Sequence, residues 1–250
     1  FPVEPISWSS PPPGLLLIQR NGGAMLVTDN LAARRIDSIW VDRVQIVPWY
    51  NHADSPGDRR LAVIEHFIGS LPGPVPKSIG IESRAVPYEL LFRLKEQSPE
   101  TRFISIDEHL LKMRRQKHPD ELELIRRCIR AGEAGHARVW EAVRPGATEL
   151  EVYSDVARAC TEAAGQPVVV YGDFCSGPRT WIERGGPPTE RRLERGDLMI
   201  LDFSVVIGGY RGDFTNTIAV GSQPTTEQRR LFELCRAALS AGEGAICHDA

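Results

Sequence analysis

Two aspartates, Asp202 and Asp213, stand in the most apolar stretch of this 250-residue chain, Leu198 to Val220. A carboxylate in such surroundings is costly unless it is hydrogen-bonded, ion-paired or bound to a cation. The aliphatic and β-branched runs 198–206 and 214–220 flank Gly208-Gly209, a pair that supplies the positive φ angles of a two-residue turn. The spacing therefore predicts a β-hairpin. With Gly208-Gly209 as the turn, residue 204 lies opposite 213 and residue 202 opposite 215; a turn one residue earlier would set 202 opposite 213. Either register points both carboxylates out of one face, with Cβ atoms roughly 4.5–8 Å apart. Two divalent cations about 3.5–4 Å apart would remove the repulsion and suit carboxylate oxygens. Blander readings stand beside this one. Asp213 follows Gly212 and could be a turn residue, Asp202 could pair with one of the chain's arginines, and a β-bulge between them would break the parity.

The elements that must position this hairpin can be read from periodicity. A long helix is expected from about Pro119 to Val143, with Leu122, Ile125, Ile129 and Val139 roughly on the helical period, and Arg144-Pro-Gly146 ends it. Thr148 with Glu151 forms a capping-box signature for a second helix over 149–164, stopped by Gly165. A third helical pattern covers Thr225 to Ala241, with Leu231, Leu234 and Leu239 on one side. The first half alternates short strands and helices: strands at Leu15–Gln19 and Ala24–Thr28 joined by Arg20-Asn-Gly-Gly23, helices at Arg60–Ser70 and Tyr88–Ser98, strands at Ser78–Glu82 and Arg102–Ile106. His118-Pro119, in a charge-dense segment, marks a boundary because the residue before proline avoids the α region. The expected division is an N-terminal α/β domain over 1–113 and a second domain over 114–250.

Composition narrows the class further. With 42% hydrophobic and 25% charged residues the chain is ordinary globular protein. A net charge of −3 offers no electrostatic reason to bind nucleic acid or an anionic membrane. Five cysteines without a CxxC pair suggest reduced thiols in a cytoplasmic protein. No apolar run approaches the roughly 18–20 residues of a membrane span. The start at Phe1 and the stop at Ala250 directly after a helical pattern suggest a fragment cut at both ends.

Arg114, Gln116 and Lys117 with Pro119-Asp-Glu-Leu122 and Ile125 open a series of motifs that continues with Arg144-Pro-Gly-Ala-Thr-Glu149 and Ser176-Gly-Pro178. Arg192-Leu-Glu-Arg-Gly-Asp197, Asp202, Gly209-Tyr-Arg-Gly-Asp213-Phe-Thr-Asn-Thr217, Val220-Gly221 and Pro224-Thr-Thr-Glu-Gln228 complete it. In this order they resemble the creatinase/prolidase/aminopeptidase P family over about residues 112–245. The resemblance implies a smaller N-terminal α/β domain followed by a pita-bread α+β catalytic domain, incomplete here. It also implies two divalent metal ions, usually manganese, cobalt or zinc, with Asp202 binding one and Asp213 bridging both. A metal-held water would then attack the peptide bond before a proline. The family's other ligands, a histidine and two glutamates, come from further along its sequence, and His248 lies too close to Asp213 to be that histidine. Family members are often dimers, so a homodimer is expected on the resemblance alone.

Two departures bear on the substrate. Arg184 stands where prolidase-type relatives commonly carry a histidine just before Gly-Gly, and Asn216 replaces a common arginine. Arginine is permanently charged, and its fork suits a substrate carboxylate; the plainer reading of Arg184 is a loop arginine in solvent. The expected activity is Xaa-Pro aminopeptidase or dipeptidase chemistry on a peptide or dipeptide. The alternatives are another metal-dependent hydrolase or lyase on the same fold, or a non-catalytic pita-bread binding protein.

Overall fold

The computed structural model describes residues 14–32, 39–54 and 57–247; His248 lies outside them. The chain divides into two compact units, one formed by Ser7–His118 and one containing Pro119–Ala250.

In the first unit the predicted strands form β1 (Gly14–Ile18) and β2 (Ala24–Asp29). They pair antiparallel with Leu15 opposite Val27. A further strand, β3 (Arg43–Val47), adds parallel to β2; its Arg-Val-Gln-Ile-Val sequence alternates too briefly to stand out without its partner. Helix α1 (Arg59–Gly69), strand β4 (Ser78–Ile81), helix α2 (Tyr88–Gln97) and strand β5 (Arg102–Ser105) follow, with β4 and β5 parallel. Met25, Val27, Val47, Val63, Ile64, Phe67, Leu90 and Leu94 make the core. Helix α3 (Asp107–Arg115) has no buried residue, which is why its charge-dense sequence reads as a solvated run.

The second unit is a helix pair on an antiparallel sheet. Helix α4 spans Pro119–Ala142 and α5 spans Glu149–Ala164. Thr148 and Glu151 close the predicted capping box at 3.1 and 2.8 Å, and Gly165 caps the C-terminus at φ 65°. Strand β6 (Val169–Ser176), the short helix α6 (Arg179–Ile182), β7 (Leu198–Ile207), β8 (Tyr210–Ala219) and helix α7 (Thr226–Ala245) complete the chain. The sheet order is β6-β7-β8. Along β7, Met199, Leu201, Phe203, Val205 and Ile207 are buried and form one core with residues of α4 and α5. Their neighbours one residue away therefore face the other side of the sheet.

The face that α4 presents differs from the expected one. Leu122 and Ile129 are exposed, whereas Cys128, Ala131, Gly132, Gly135, Val139 and Ala142 are buried. The helix packs through its small residues because bulk there would collide with Phe214 of β8 and with Cys160 of α5. A Cβ on Gly132 would sit 2.0 Å from Phe214 Cε2, and one on Gly135 would sit 2.6 Å from Cys160 Sγ. Gly132→Ala is accordingly expected to destabilise. The helix gains about 1 kcal/mol of propensity, but overpacking a rigid ring costs about 1–3 kcal/mol, and denaturant unfolding should show the net loss. A rise in stability would show that Phe214 yields without cost.

His136 on α4 stacks at 4.9 Å on Phe203 and lies 5.4 Å from Phe214. Burial lowers its pKa from the ordinary value of 6.5. Below that ordinary value the unfolded chain binds a proton that the folded chain resists, so stability is full above about pH 6.5 and falls on acidification. His136→Phe should remove this part of the acid-side loss, read from melting temperature between about pH 7 and pH 5. An unchanged profile would count against it.

Candidate metal and substrate site

Gly208 and Gly209 adopt φ 58° and 82°, the double left-handed turn that matches the twist of an antiparallel pair. With that turn fixed, Ser204 lies opposite Asp213 and Asp202 opposite Thr215. No bulge interrupts the ladder. Asp202, Ser204, Asp213 and Thr215 therefore occupy the face opposite the core, and the two aspartates are diagonal neighbours on adjacent strands. Asp202 is half-buried and Asp213 exposed. Asp202 accepts a 2.9 Å hydrogen bond from the Thr215 hydroxyl. Among the described residues neither aspartate forms an ion pair with an arginine, and Asp213 lies within β8, not in a turn.

Strand β6 brings a third carboxylate that the sequence reading missed. Asp173 pairs directly with Asp202 and Tyr171 with Ser204, so Tyr171 and Asp173 share the same face. The approach is close because residue 172 is glycine: at φ 146° its Cβ would lie 2.1 Å from the Asp202 carbonyl oxygen. Asp173 gives no sequence signal by itself, since its partner is 29 positions away and only the β6–β7 register places it. On β8, Arg211 donates to the Tyr171 hydroxyl at 3.0 Å. That bond and then Asp213 raise the Arg211 pKa, so a fixed cation faces the acidic group.

Arg184 lies in the loop after α6, exposed and in the left-handed region at φ 61°. Such a conformation is uncommon for a bulky residue. Among the described residues it makes no hydrogen bond or ion pair. The next residue, Gly185, packs on Asp173 so closely that a Cβ would lie 2.2 Å from Oδ2. The loop is thus brought to Asp173, and through it to the Asp202 side of the sheet, although Arg184 contacts neither Asp202 nor Asp213.

Carboxylate and hydroxyl oxygens are hard donors that suit manganese or magnesium and accept cobalt or zinc. Thiols do not compete: burial pushes Cys175 up and Cys160 up to about 11. Among the described residues no group of three or more His, Cys, Asp or Glu is arranged to hold a metal ion. Asp202 and Asp213 therefore fit part of a metal coordination sphere and do not complete one.

A helix pair backing an antiparallel sheet that carries acidic residues on its open face, preceded by a small α/β unit, is the arrangement of pita-bread proteins. Residues 123–249 match the Metallopeptidase family M24 and residues 11–116 the Creatinase/Prolidase N-terminal domain, and the chain belongs to this family. It is 26% identical over 213 residues to an Xaa-Pro dipeptidase of Pyrococcus horikoshii, covering 85% of this chain and 58% of that one. The crystal structure of the prolidase from Pyrococcus horikoshii OT3 superposes with a TM-score of 0.74 at 24% identity, over 93% of this chain and 60% of that one. The X-Pro aminopeptidase from Thermotoga maritima MSB8 gives 0.67 at 23%, over 86% and 55%. These similarities show the fold, and the chain spans somewhat over half the length of the relatives it resembles. Among the described residues no helix is long and apolar enough to cross a membrane.

Proposed function

We propose that the full-length protein hydrolyses the peptide bond before proline as a metal-dependent Xaa-Pro aminopeptidase or dipeptidase. Asp202 would hold one divalent ion and Asp213 would bridge two, with manganese, cobalt or zinc as the ions. The observation that carries this reading is the β7–β8 register, which sets both carboxylates on the sheet face away from the core. Bound metal would supply Lewis-acid polarisation and a water of lowered pKa. The chain's own residues orient that chemistry. Thr215 fixes the Asp202 carboxylate, Arg211 faces Asp213 with positive charge, and Arg184 offers a fork for a substrate carboxylate.

The substrates are peptides or dipeptides, the compartment is the cytoplasm, and a homodimer accords with the family. A second reading, a different hydrolase or lyase on this fold, is favoured by Asp173, whose carboxylate directly opposite Asp202 alters the charge next to the metals.

The test is metal analysis of full-length protein together with hydrolysis of Xaa-Pro dipeptides before and after chelation. Bound divalent metal and chelator-sensitive hydrolysis are expected. A folded protein that contains no metal and stays inactive when metal is added would leave only a binding role. Residues 1–250 by themselves are expected to bind metal weakly, since two carboxylates make an incomplete site.

A further inference from the structure

Glu149, at the first turn of α5, is fully buried and has no part in the metal chemistry proposed above. Its Oε1 accepts from the Ser176 amide and hydroxyl, both at 2.7 Å. Its Oε2 accepts from the Thr189 amide at 3.0 Å and hydroxyl at 2.6 Å. Arg179 completes the set with an ion pair to the same oxygen. The guanidinium then reaches outward, donating from Nε and Nη2 to Glu183 Oε2 at 3.0 and 2.8 Å. Nη2 also donates to the Pro187 carbonyl at 3.2 Å. One side chain thus ties a buried anion to both sides of Arg184.

The loop it grips runs along the outer edge of the sheet. The Phe174 amide of β6 donates to the Gly186 carbonyl at 2.9 Å, and Gly185 packs on Asp173. Gly185 and Gly186 hold φ 140° and 143°, a region open to glycine and closed to most side-chain-bearing residues. We infer that Arg179 is a positioning residue: it clamps residues 183–189 onto β6 so that Gly185 is held on Asp173, the cross-strand partner of Asp202, and Arg184 is fixed next to it. The inference rests on the peptidase reading of the Asp202 and Asp213 face. A planar fork is needed, because it engages Glu149, Glu183 and Pro187 together, whereas a lysine ammonium is a single compact charge.

The experiment uses full-length, metal-loaded protein with Arg179→Lys, Arg184→Gln and the double variant. Arg179→Lys should raise KM for dipeptides with a free carboxylate about tenfold, in the range found when a group that orients a ligand-binding residue is lost, with kcat within about twofold. The double variant should be no worse than Arg184→Gln, since two residues acting through one contact are not additive. Unchanged KM, or effects that multiply in the double variant, would overturn the inference and leave Arg179 a stabilising residue only.

Hydrogen exchange gives a readout independent of hydrolysis. The Phe174 and Thr189 amides should exchange about tenfold faster in Arg179→Lys, and unchanged exchange would equally overturn the clamp. Should Arg179→Lys fail to fold, Glu183→Ala removes one arm while leaving the buried pair intact and should shift KM and exchange in the same direction; wild-type values would sink the proposal. If wild-type protein hydrolyses no peptide, the peptidase reading falls, and exchange alone decides the clamp.

Discussion

Asp213→Ala in the full-length protein is expected to remove both metal ions and to lower hydrolysis of Xaa-Pro dipeptides by roughly a thousandfold or more. A metal that polarises the reacting group is worth several kcal/mol, and each ~1.4 kcal/mol is a factor of ten. A bridging carboxylate holds both ions at once, so its loss is felt twice. Asp202→Ala, which would remove a ligand to one ion, should leave residual metal. Asp213 is exposed on β8 and belongs to no core cluster, so the variant should fold with a melting temperature near that of the apo wild type. Metal content by elemental analysis, set beside kcat/KM, checks the expectation. Wild-type metal content in Asp213→Ala would remove this residue from the site.

Arg184→His is the second large expected effect, and it acts on choice of substrate. A shielded charge-assisted bidentate pair is worth roughly 1.5–3 kcal/mol, which corresponds to about a tenfold to hundredfold preference for substrates with a carboxylate near the metals. Because the Arg184 side chain is exposed in this chain, the full figure applies only when bound substrate excludes water, and the lower end is the better expectation. The measurement is the ratio of kcat/KM for Xaa-Pro dipeptides to that for longer peptides with a blocked C-terminus, wild type against variant. The ratio should fall toward one in Arg184→His; a constant ratio would make Arg184 a solvated loop residue. The left-handed backbone at this position adds a control. Arg184→Gly should relieve strain while removing the charge, so any change in ratio shared by the two variants belongs to the charge.

The hairpin was legible because everything that sets it is local. Gly208-Gly209 accepts the doubly left-handed hairpin turn, the flanking β-branched runs favour extended backbone, and the period of two then assigns Asp202 and Asp213 to one face. The capping box at Thr148 and Glu151 was legible for the same reason, since both partners lie within one helical turn. The face of α4 was not. Leucine and isoleucine spacing suggests a stripe through Leu122 and Ile129, but the packing partner at Gly132 is Phe214, far along the chain, and it leaves no room there for a Cβ. Strand β3 is not legible in the sequence because a five-residue strand carries too little alternation without its parallel partner.

The sequence by itself determined the local conformations and, through the order of its motifs, the family. Turn chemistry, capping and short-range periodicity act over a few residues, so they are written in neighbouring positions. Only the tertiary structure decided what stands around the two aspartates. Asp173 meets Asp202 because Gly172 lets β6 approach β7, and Glu149 binds Ser176, Arg179 and Thr189 from 27 to 40 positions away. These contacts depend on strand register and on the burial of one charge among distant donors. No window of sequence contains both partners, so their physical cause exists only once the chain has folded.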